Sequence, residues 1–585
     1  MRVDIALCSI NPVVGALDAN VDRIMAAYRE AATQGAHIVL TPEMSLTGYP
    51  LEDLTQRSAF LRDVEIARAK LCGMVLDSGL EATLVFGHPT DAAKHDGNRR
   101  LVFNSVTVYD PTTGSTDLVH KTELPNYGVF DEKRNYLEGP HPRVVRWRGL
   151  RLGVLVCEDG WFDAVTDKLT AQGADVLLWV NGSPFAAGKN VQRRDHASNR
   201  VARARVPIAY VNLDGGQDEL VFDGDCFAFD GSSYVQTGLF RETVQIVTFD
   251  LTSGAGAHDA ATRGGPYPRL PAVTATGVEA IYGAIVQGLK DYIGKSRFSK
   301  VVLGYSGGVD SGLVAAVAVD ALGADNVLLV RLPSDFSSDG SKDDAWTGAV
   351  RLGCPLRTVN IEPMVELSRQ MYSRMAFDMN EQVPNDTPVL TGVSDENIQA
   401  RARANILMMI SNQEGHMLLN TSNKSEASVG YTSLLGDMAG GYSPLKDVYK
   451  TMVWELCRYR NGLGGDTLDA MGYHGPVAEV VPEEIISKPP SAELRPEQQD
   501  SDSLPPYPVL DAVLKAILDE ERSVRDIIES GIADESTTMR VQSLVYGSEY
   551  KRRLAAPGIK TGHKLLGRDR RYPIVNGYRD IPTER

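Results

Sequence analysis

The sequence predicts two α/β domains in succession: an α/β sandwich with covered sheets, then a parallel, doubly wound sheet. Three observations carry this. The chain has 585 residues, whereas single cores stop growing at about 250–300 residues. Apolar strand-like runs alternate with helical periodicity in both halves, the pattern of layered α/β folds. Between the halves, LTSGAGAHDAATRGGPYPRLPAVTAT (251–276) is rich in Gly, Ala and Pro and has no period, which marks a linker. The expected domains are therefore 1–250 and 277–585.

In the first half, Asp18 is placed to cap a helix. Val21, Ile24, Met25, Tyr28 and Ala32 recur at helical spacing, and Gly35 closes it. His37–Leu40 follows as a short buried strand, and Val102–Tyr109 reads as a hairpin-like piece before the turn at 111–114. In the second half, 300–303 is a strand, Val309–Leu322 a helix and 326–332 a strand. A helix at 396–411 and a strand at 417–420 follow. Residues 488–508, with Pro489-Pro490 and Pro505-Pro506, are expected to form an exposed loop. No solenoid-type repeat is visible.

Composition narrows the function. Apolar residues make up 43% and charged residues 23%, ordinary values for a globular protein. No run approaches the roughly 18 apolar residues of a membrane span, and Met1-Arg2-Val3-Asp4 leads directly into a strand without a signal-like region. The net charge of −16 disfavours a nucleic-acid partner. Cys8, Cys72, Cys157, Cys226, Cys354 and Cys457 are scattered and form no CxxC pair, so neither a zinc ribbon nor a disulfide scaffold is expected. A reducing cytoplasm is the natural compartment.

Three segments of the first half place a reactive side chain just after an apolar strand. Residues 37–40 lead to Thr41-Pro42-Glu43, 117–120 to Lys121, and 152–156 to Cys157-Glu158-Asp159. Carboxyl ends of strands line the ligand crevice in open α/β sheets. A carboxylate there can take a thiol proton, and a lysine cation can stabilise the oxyanion formed when the sulfur attacks an amide. The products are a thioester and ammonia.

The segments LTPEMSLTGYP (40–50), HKTELPNYGVFDEKRNY (120–136) and GVLVCEDGW (153–161) resemble the nitrilase superfamily, and its glutamine amidase branch in particular. The resemblance spans roughly residues 1–250 and implies a four-layer αββα sandwich. It implies Glu43 as base, Lys121 as oxyanion stabiliser and Cys157 as nucleophile, with Glu132 supporting the lysine. Tyr127 and the run from Ser183 to Lys189 resemble the part of this branch that holds glutamine. Ser183 and Lys189 suit its carboxylate.

In the second half, Gly304-Tyr305-Ser306-Gly307-Gly308-Val309-Asp310-Ser311 joins a strand to a helix. Such glycines let backbone N–H groups approach phosphates, and the helix start favours an anion. The loop is not a Walker A motif, since Asp310 stands where that motif has lysine. A carboxylate beside phosphate makes sense with Mg²⁺ between them. The SGGVDS run resembles the pyrophosphate loop of the ATP pyrophosphatases, which cleave ATP to AMP and pyrophosphate and pass an adenylate to a nucleophile.

Within that class, residues 395–412, 419–431, 434–445 and 549–553 resemble the NAD synthetase family, and with both halves present the chain resembles its glutamine-dependent branch. The resemblance implies ATP contacts from the 304–311 loop, Thr421, Lys450 and Ser491. It implies deamido-NAD contacts from Asn397, Arg401, Glu426 and Lys551, with Asp310 and Glu426 at the Mg²⁺. Glutamine, ATP and deamido-NAD are the implied small-molecule partners, and the family implies a homo-oligomer. Ammonia-only synthetases often carry a lysine a few residues beyond the matched glutamate, where this chain has Leu434. Two alternatives stay open: another glutamine-fed ATP pyrophosphatase amidotransferase, and a catalytically silent adenine-nucleotide sensor.

Overall fold

A computed structural model describes residues 1–97, 99–251, 277–336, 339–374, 389–495 and 497–582. Two compact units divide the chain, Met1–Thr276 and Gly277–Arg585. Of the expected linker, only Leu251 falls within the described residues. It is buried and donates its N–H to Met1 O over 2.8 Å.

The first unit holds two six-stranded sheets. One runs in the order Thr243–Asp250, Arg2–Ser9, Ile38–Leu40, Thr83–Asp96, Arg99–Asp110, Ser115–His120. The other runs Tyr234–Gln236, Phe227–Phe229, Ile208–Asn212, Val176–Asn181, Leu150–Val156, Val145–Trp147. Alternate residues of a strand point to opposite faces, and that period builds four layers. Ile5, Leu7, Ile38 and Leu40 share one core with Val154, Val156, Val176 and Leu178 of the other sheet. Ala6, Cys8 and Val39, one position out of phase, pack on the helices Leu17–Thr33 and Ser58–Asp77. Leu155, Leu177 and Trp179 pack on Asp163–Ala171 and Lys189–Ala204. The expected αββα sandwich is present.

Two expectations shift in detail. The helix Leu17–Thr33 starts a residue before Asp18, which makes no capping bond. Asp18 instead sits in the first turn, where a carboxylate suits the helix dipole, and pairs with Lys70. Val102–Tyr109 is part of a twelve-residue strand, Arg99–Asp110, paired with Thr83–Asp96 and Ser115–His120.

The second unit contains a four-stranded, wholly parallel sheet in the order Leu356–Thr358, Val327–Arg331, Val301–Gly304, Met417–Leu419. By chain order this is third, second, first, fourth. The winding reverses between the first and fourth strands, the place where such sheets bind ligands beyond their carboxyl ends. The 304–311 loop follows the first of these strands and 420–426 the other. The helix Val309–Leu322 packs with Val278–Lys295 and Lys450–Asn461, while Val393–Glu414 lies against the strands.

Residues 488–508 are largely irregular but not simply exposed. Asp500, Leu504 and Tyr507 are buried. The two apolar side chains join a core with Leu510, Val541 and Val545, and Tyr507 opens the helix Tyr507–Leu514.

Candidate active sites

In the first unit the three strand ends deliver Glu43, Lys121 and Cys157 as the alternation suggested. Lys121 directly follows Ser115–His120, and its N–H donates to Asn104 O over 2.8 Å, continuing the ladder. Its Nζ lies 2.9 Å from Glu43 Oε1 and 2.8 Å from Glu132 Oε2. All three side chains are at most 3% exposed. Two further donors orient Glu43: Asn104 Nδ2 to Oε1 at 2.6 Å, and the Gly182 N–H to Oε2 at 2.7 Å. Tyr49 donates its hydroxyl to Glu132 Oε1 over 3.0 Å.

Cys157 directly follows Leu150–Val156 and takes φ +45°, the left-handed region that costs an L residue strain. Asp159 braces the turn: its carboxylate accepts from the N–H groups of Val156, Thr122 and Glu123 at 3.1, 3.0 and 2.8 Å. Trp179 Nε1 donates to Cys157 O over 2.8 Å. Burial, then the Glu43 charge, push the Cys157 thiol well above its ordinary range. Burial opposes the Lys121 ammonium, but Glu132 and Glu43 outweigh it and raise its pKa. Burial pushes Glu132 up to about 7. Burial thus favours the neutral thiol at Cys157, and the two glutamates favour the charged ammonium at Lys121.

Around these groups, Tyr127 donates its hydroxyl to Glu158 Oε1 over 2.9 Å, and burial raises the Glu158 carboxyl. Lys189 Nζ lies 4.5 Å from the Trp161 ring centroid, a cation–π contact. Ser183 is buried and its hydroxyl accepts from Arg193 Nε over 3.1 Å. Arg193 in turn donates to Ser183 O and Pro184 O and pairs with Asp223.

In the second unit, Gly304 ends the strand and Val309 begins the helix, with Gly308 between them. Gly307 has φ +81°, a conformation that glycine takes at no steric cost. Ser311 Oγ lies 3.1 Å from Ser306 Oγ and donates to Gly308 O over 3.0 Å, tightening the loop. The Tyr305 side chain is buried with its hydroxyl against Gly348, and its N–H donates to Val330 O over 2.8 Å; it belongs to the core and offers no donor to a phosphate.

Asp310 pairs with Lys450 Nζ and accepts from Asn423 Nδ2 over 2.9 Å. Lys450 Nζ also donates to Glu426 Oε1 over 3.1 Å. Tyr507 donates to Asp500 Oδ2 over 2.7 Å and lies 3.3 Å from Glu426 Oε1. Burial pushes Glu426 up to about 7, Lys450 opposes it, and Asp310 and Asp500 add to it. Oxygen donors carrying surplus negative charge suit Mg²⁺, which commonly takes one or two carboxylates plus phosphate oxygens. Among the described residues no group of three or more His, Cys, Asp or Glu side chains is arranged to hold a metal by itself.

The remaining candidates divide. Asn397 Oδ1 accepts from the Ser433 hydroxyl, Arg401 Nε donates to Leu434 O over 3.2 Å, and Lys551 Nζ donates to Gly430 O and Thr432 O. These three frame the 430–434 turn, whose next residue, Leu435, is exposed at φ +59°. Thr421 lies just past the strand Met417–Leu419, half-buried. Ser491 is exposed and donates to Gln498 O, and no described contact brings it to Asp310 or Lys450. Asn104, Tyr49, Glu158, Asp159, Asn423, Asp500 and Tyr507 complete the two clusters without having been singled out. Glu158 and Asp159 adjoin Cys157, and Tyr49 and Asn423 lie within the segments 40–50 and 419–431; Asn104, Asp500 and Tyr507 are isolated polar residues with no sequence signal beyond their type.

The two units thus define a class by fold and side chains: a four-layer sandwich that buries Glu43, Lys121, Glu132 and Cys157, and a parallel α/β unit with a glycine-rich loop beside its switch point. The carbon–nitrogen hydrolase family model matches residues 4–258 and the NAD synthase model residues 281–555. The chain is 44% identical over 585 residues to the glutamine-dependent NAD(+) synthetase of Rhodobacter capsulatus, covering 99% of both. It is 34% identical to the Thermotoga maritima protein of that name, again covering 99% of both. Among solved structures, it matches the glutamine-dependent NAD+ synthetase of Acinetobacter baumannii in complex with adenosine diphosphate, with TM-score 0.71, 34% identity and 99% and 100% of the chains covered. The chain belongs to the glutamine-dependent NAD(+) synthetase family.

Proposed function

We propose that this chain makes NAD by amidating deamido-NAD at the expense of ATP, with glutamine as nitrogen source. The observation that carries the first half is the Lys121 ammonium locked between Glu43 and Glu132 beside a protonated, strained Cys157. Glu43 accepts the thiol proton as the sulfur attacks the amide carbon of glutamine. Lys121 stabilises the oxyanion. Collapse breaks the C–N bond, Glu43 returns the proton to the leaving ammonia, and water then hydrolyses the thioester. Glu158, held by Tyr127, supplies an acceptor for the substrate ammonium, and Lys189 a cation for its carboxylate.

In the second unit the 304–311 loop receives the phosphates. A carboxylate oxygen of deamido-NAD attacks the α-phosphorus of ATP and pyrophosphate leaves. Ammonia then attacks the adenylate carbonyl and AMP leaves, giving NAD. Asp310 and Glu426 would hold Mg²⁺, which neutralises phosphate charge when bound. Lys450 contacts ATP, and Asn397, Arg401 and Lys551 contact deamido-NAD. No helix among the described residues is long and apolar enough to cross a membrane, and we place the enzyme in the cytoplasm as a homo-oligomer.

Incubation of the purified chain with deamido-NAD, ATP and Mg²⁺ tests the reading. NAD and AMP are expected with either glutamine or ammonia. ATP cleavage to ADP, or NAD formation without ATP, would overturn it.

A further inference from the structure

Two helices of the second unit carry matched charges at matched positions. Val309–Leu322 has Asp310 in its first turn and Asp320 in its last. Lys450–Asn461 has Lys450 at its start and Arg460 in its last turn. Both intervals are ten residues, 320 − 310 and 460 − 450, or about 15 Å of helix. Lys450 meets Asp310 at one end. At the other, Arg460 Nε and Nη2 meet Asp320 Oδ2 and Oδ1 at 2.6 and 2.9 Å. The helices therefore run side by side in the same direction, tied by an ion pair at each end.

The two ties differ in kind. Arg460 and Asp320 are both 0% exposed, and their contact is a two-point fork, which fixes direction as well as distance. Tyr282 donates a further bond to Asp320 Oδ2, and Arg460 Nη2 donates to Pro476 O over 3.0 Å. A Cβ on Gly475 would stand 2.0 Å from Asp320 Oδ1, so the chain closes over the pair where only glycine fits. Lys450 is a point charge shared among Asp310, Glu426 and the Tyr507 ring. An ammonium at a helix start and a carboxylate at a helix end both oppose the helix dipole, so each charge depends on its partner across the helix pair.

We propose that Arg460 and Asp320 are positioning residues. Their fork fixes the register of the two helices, and that register holds Lys450 against Asp310 while leaving the ammonium free to exchange partners when nucleotide enters. This rests on the reading of Lys450 as an ATP contact.

The test uses the full chain and ammonia-driven synthesis, with the KM for ATP as readout. Lys450→Met is expected to raise that KM at least tenfold. The apolar pair Asp320→Leu with Arg460→Met removes both buried charges together, which buried pairs often tolerate. It is expected to raise the ATP KM at least fivefold while the KM for glutamine in the glutaminase reaction stays within twofold. Adding the apolar pair to Lys450→Met should change the ATP KM by less than twofold, because the pair acts through that lysine; a purely structural role would multiply the two effects. If the apolar pair does not fold, Arg460→Lys decides by the same comparison, with a rise of about threefold expected from loss of the fork. An unchanged ATP KM in the pair variants, or multiplied effects, overturns the proposal while leaving the Lys450 reading in place. An unchanged ATP KM in Lys450→Met overturns that reading and this inference with it.

Discussion

The charged groups of the first unit's site are sealed: Glu43, Lys121 and Glu132 expose 1, 1 and 3% of their side chains. In the second unit Asp310 and Glu426 expose 19 and 18%, and only Lys450 between them is closed off. In both clusters one lysine lies between two carboxylates, and burial pushes one of them, Glu132 in the first and Glu426 in the second, up to about 7. The second adds Asp500, whose charge raises Glu426 further, and its two lysine-paired carboxylates keep an edge in solvent. A site that acts on a small neutral amide can carry its whole charge pattern in the fold. A site for a polyphosphate leaves part of its pattern to the substrate and the metal. Substitutions in the first should therefore act on one nitrogen source alone, and substitutions in the second on both.

The largest expected effect follows from Cys157→Ser. Removing a nucleophile typically costs on the order of 10⁴–10⁶ in rate, so glutamine-driven synthesis should disappear while ammonia-driven synthesis stays within about twofold. Retention of glutamine use would break the comparison at its clearest point. Asp310→Asn comes next. Loss of a charged group at a metal and phosphate site should lower both glutamine- and ammonia-driven synthesis by about a hundredfold or more. Parallel rate measurements with the two nitrogen sources check this, and unequal losses would contradict it.

Arg401→Ala should raise the KM for deamido-NAD at least tenfold, since a charge-assisted hydrogen bond is worth about 1.5–3 kcal/mol. The KM for glutamine should barely move. Lys551→Ala should act alike, with an added loss of stability, because Lys551 Nζ also ties Gly430 O and Thr432 O. Kinetics varying each substrate in turn separate these outcomes. The smallest effect is one of pH. Burial and Glu43 hold the Cys157 thiol well above the ordinary range, and the proposed mechanism has the protonated thiol hand its proton to Glu43 during attack. The kcat/KM for glutamine should then show no rising limb between about pH 7 and 9, where an unperturbed thiol would ionise. A limb there would mean that the free thiolate is the resting nucleophile.

Much of this was legible in the sequence because strand ends are legible. The apolar runs before Glu43, Lys121 and Cys157 announced where the strands stop, and the fold places the three side chains at those stops. The Val309–Leu322 helix was read to the residue, since Gly307-Gly308 before it and Gly323 after it punctuate the pattern. The supporting partners were less visible. Asn104 lies in mid-strand, and Tyr49 stands in the 40–50 segment with nothing to tell it from the other residues there; neither carries a periodic signal, and their contacts with Glu43 and Glu132 emerge only in the fold. Residues 488–508 form the largely exposed, irregular stretch that the proline pairs suggest, but with an anchor they do not reveal: Leu504 and Tyr507 bury apolar surface, and Tyr507 then orders Asp500. Tyr305 illustrates the converse: it sits inside a phosphate-loop motif, yet its side chain serves the core.

The most direct measurement supplies wild-type chain with ATP, Mg²⁺, deamido-NAD and glutamine carrying ¹⁵N in its amide, and counts NAD, AMP and glutamate together. The account predicts that the label appears in the carboxamide of NAD, with AMP and glutamate formed in step with it. NAD without the label, or labelled ammonia released with no NAD, would contradict it.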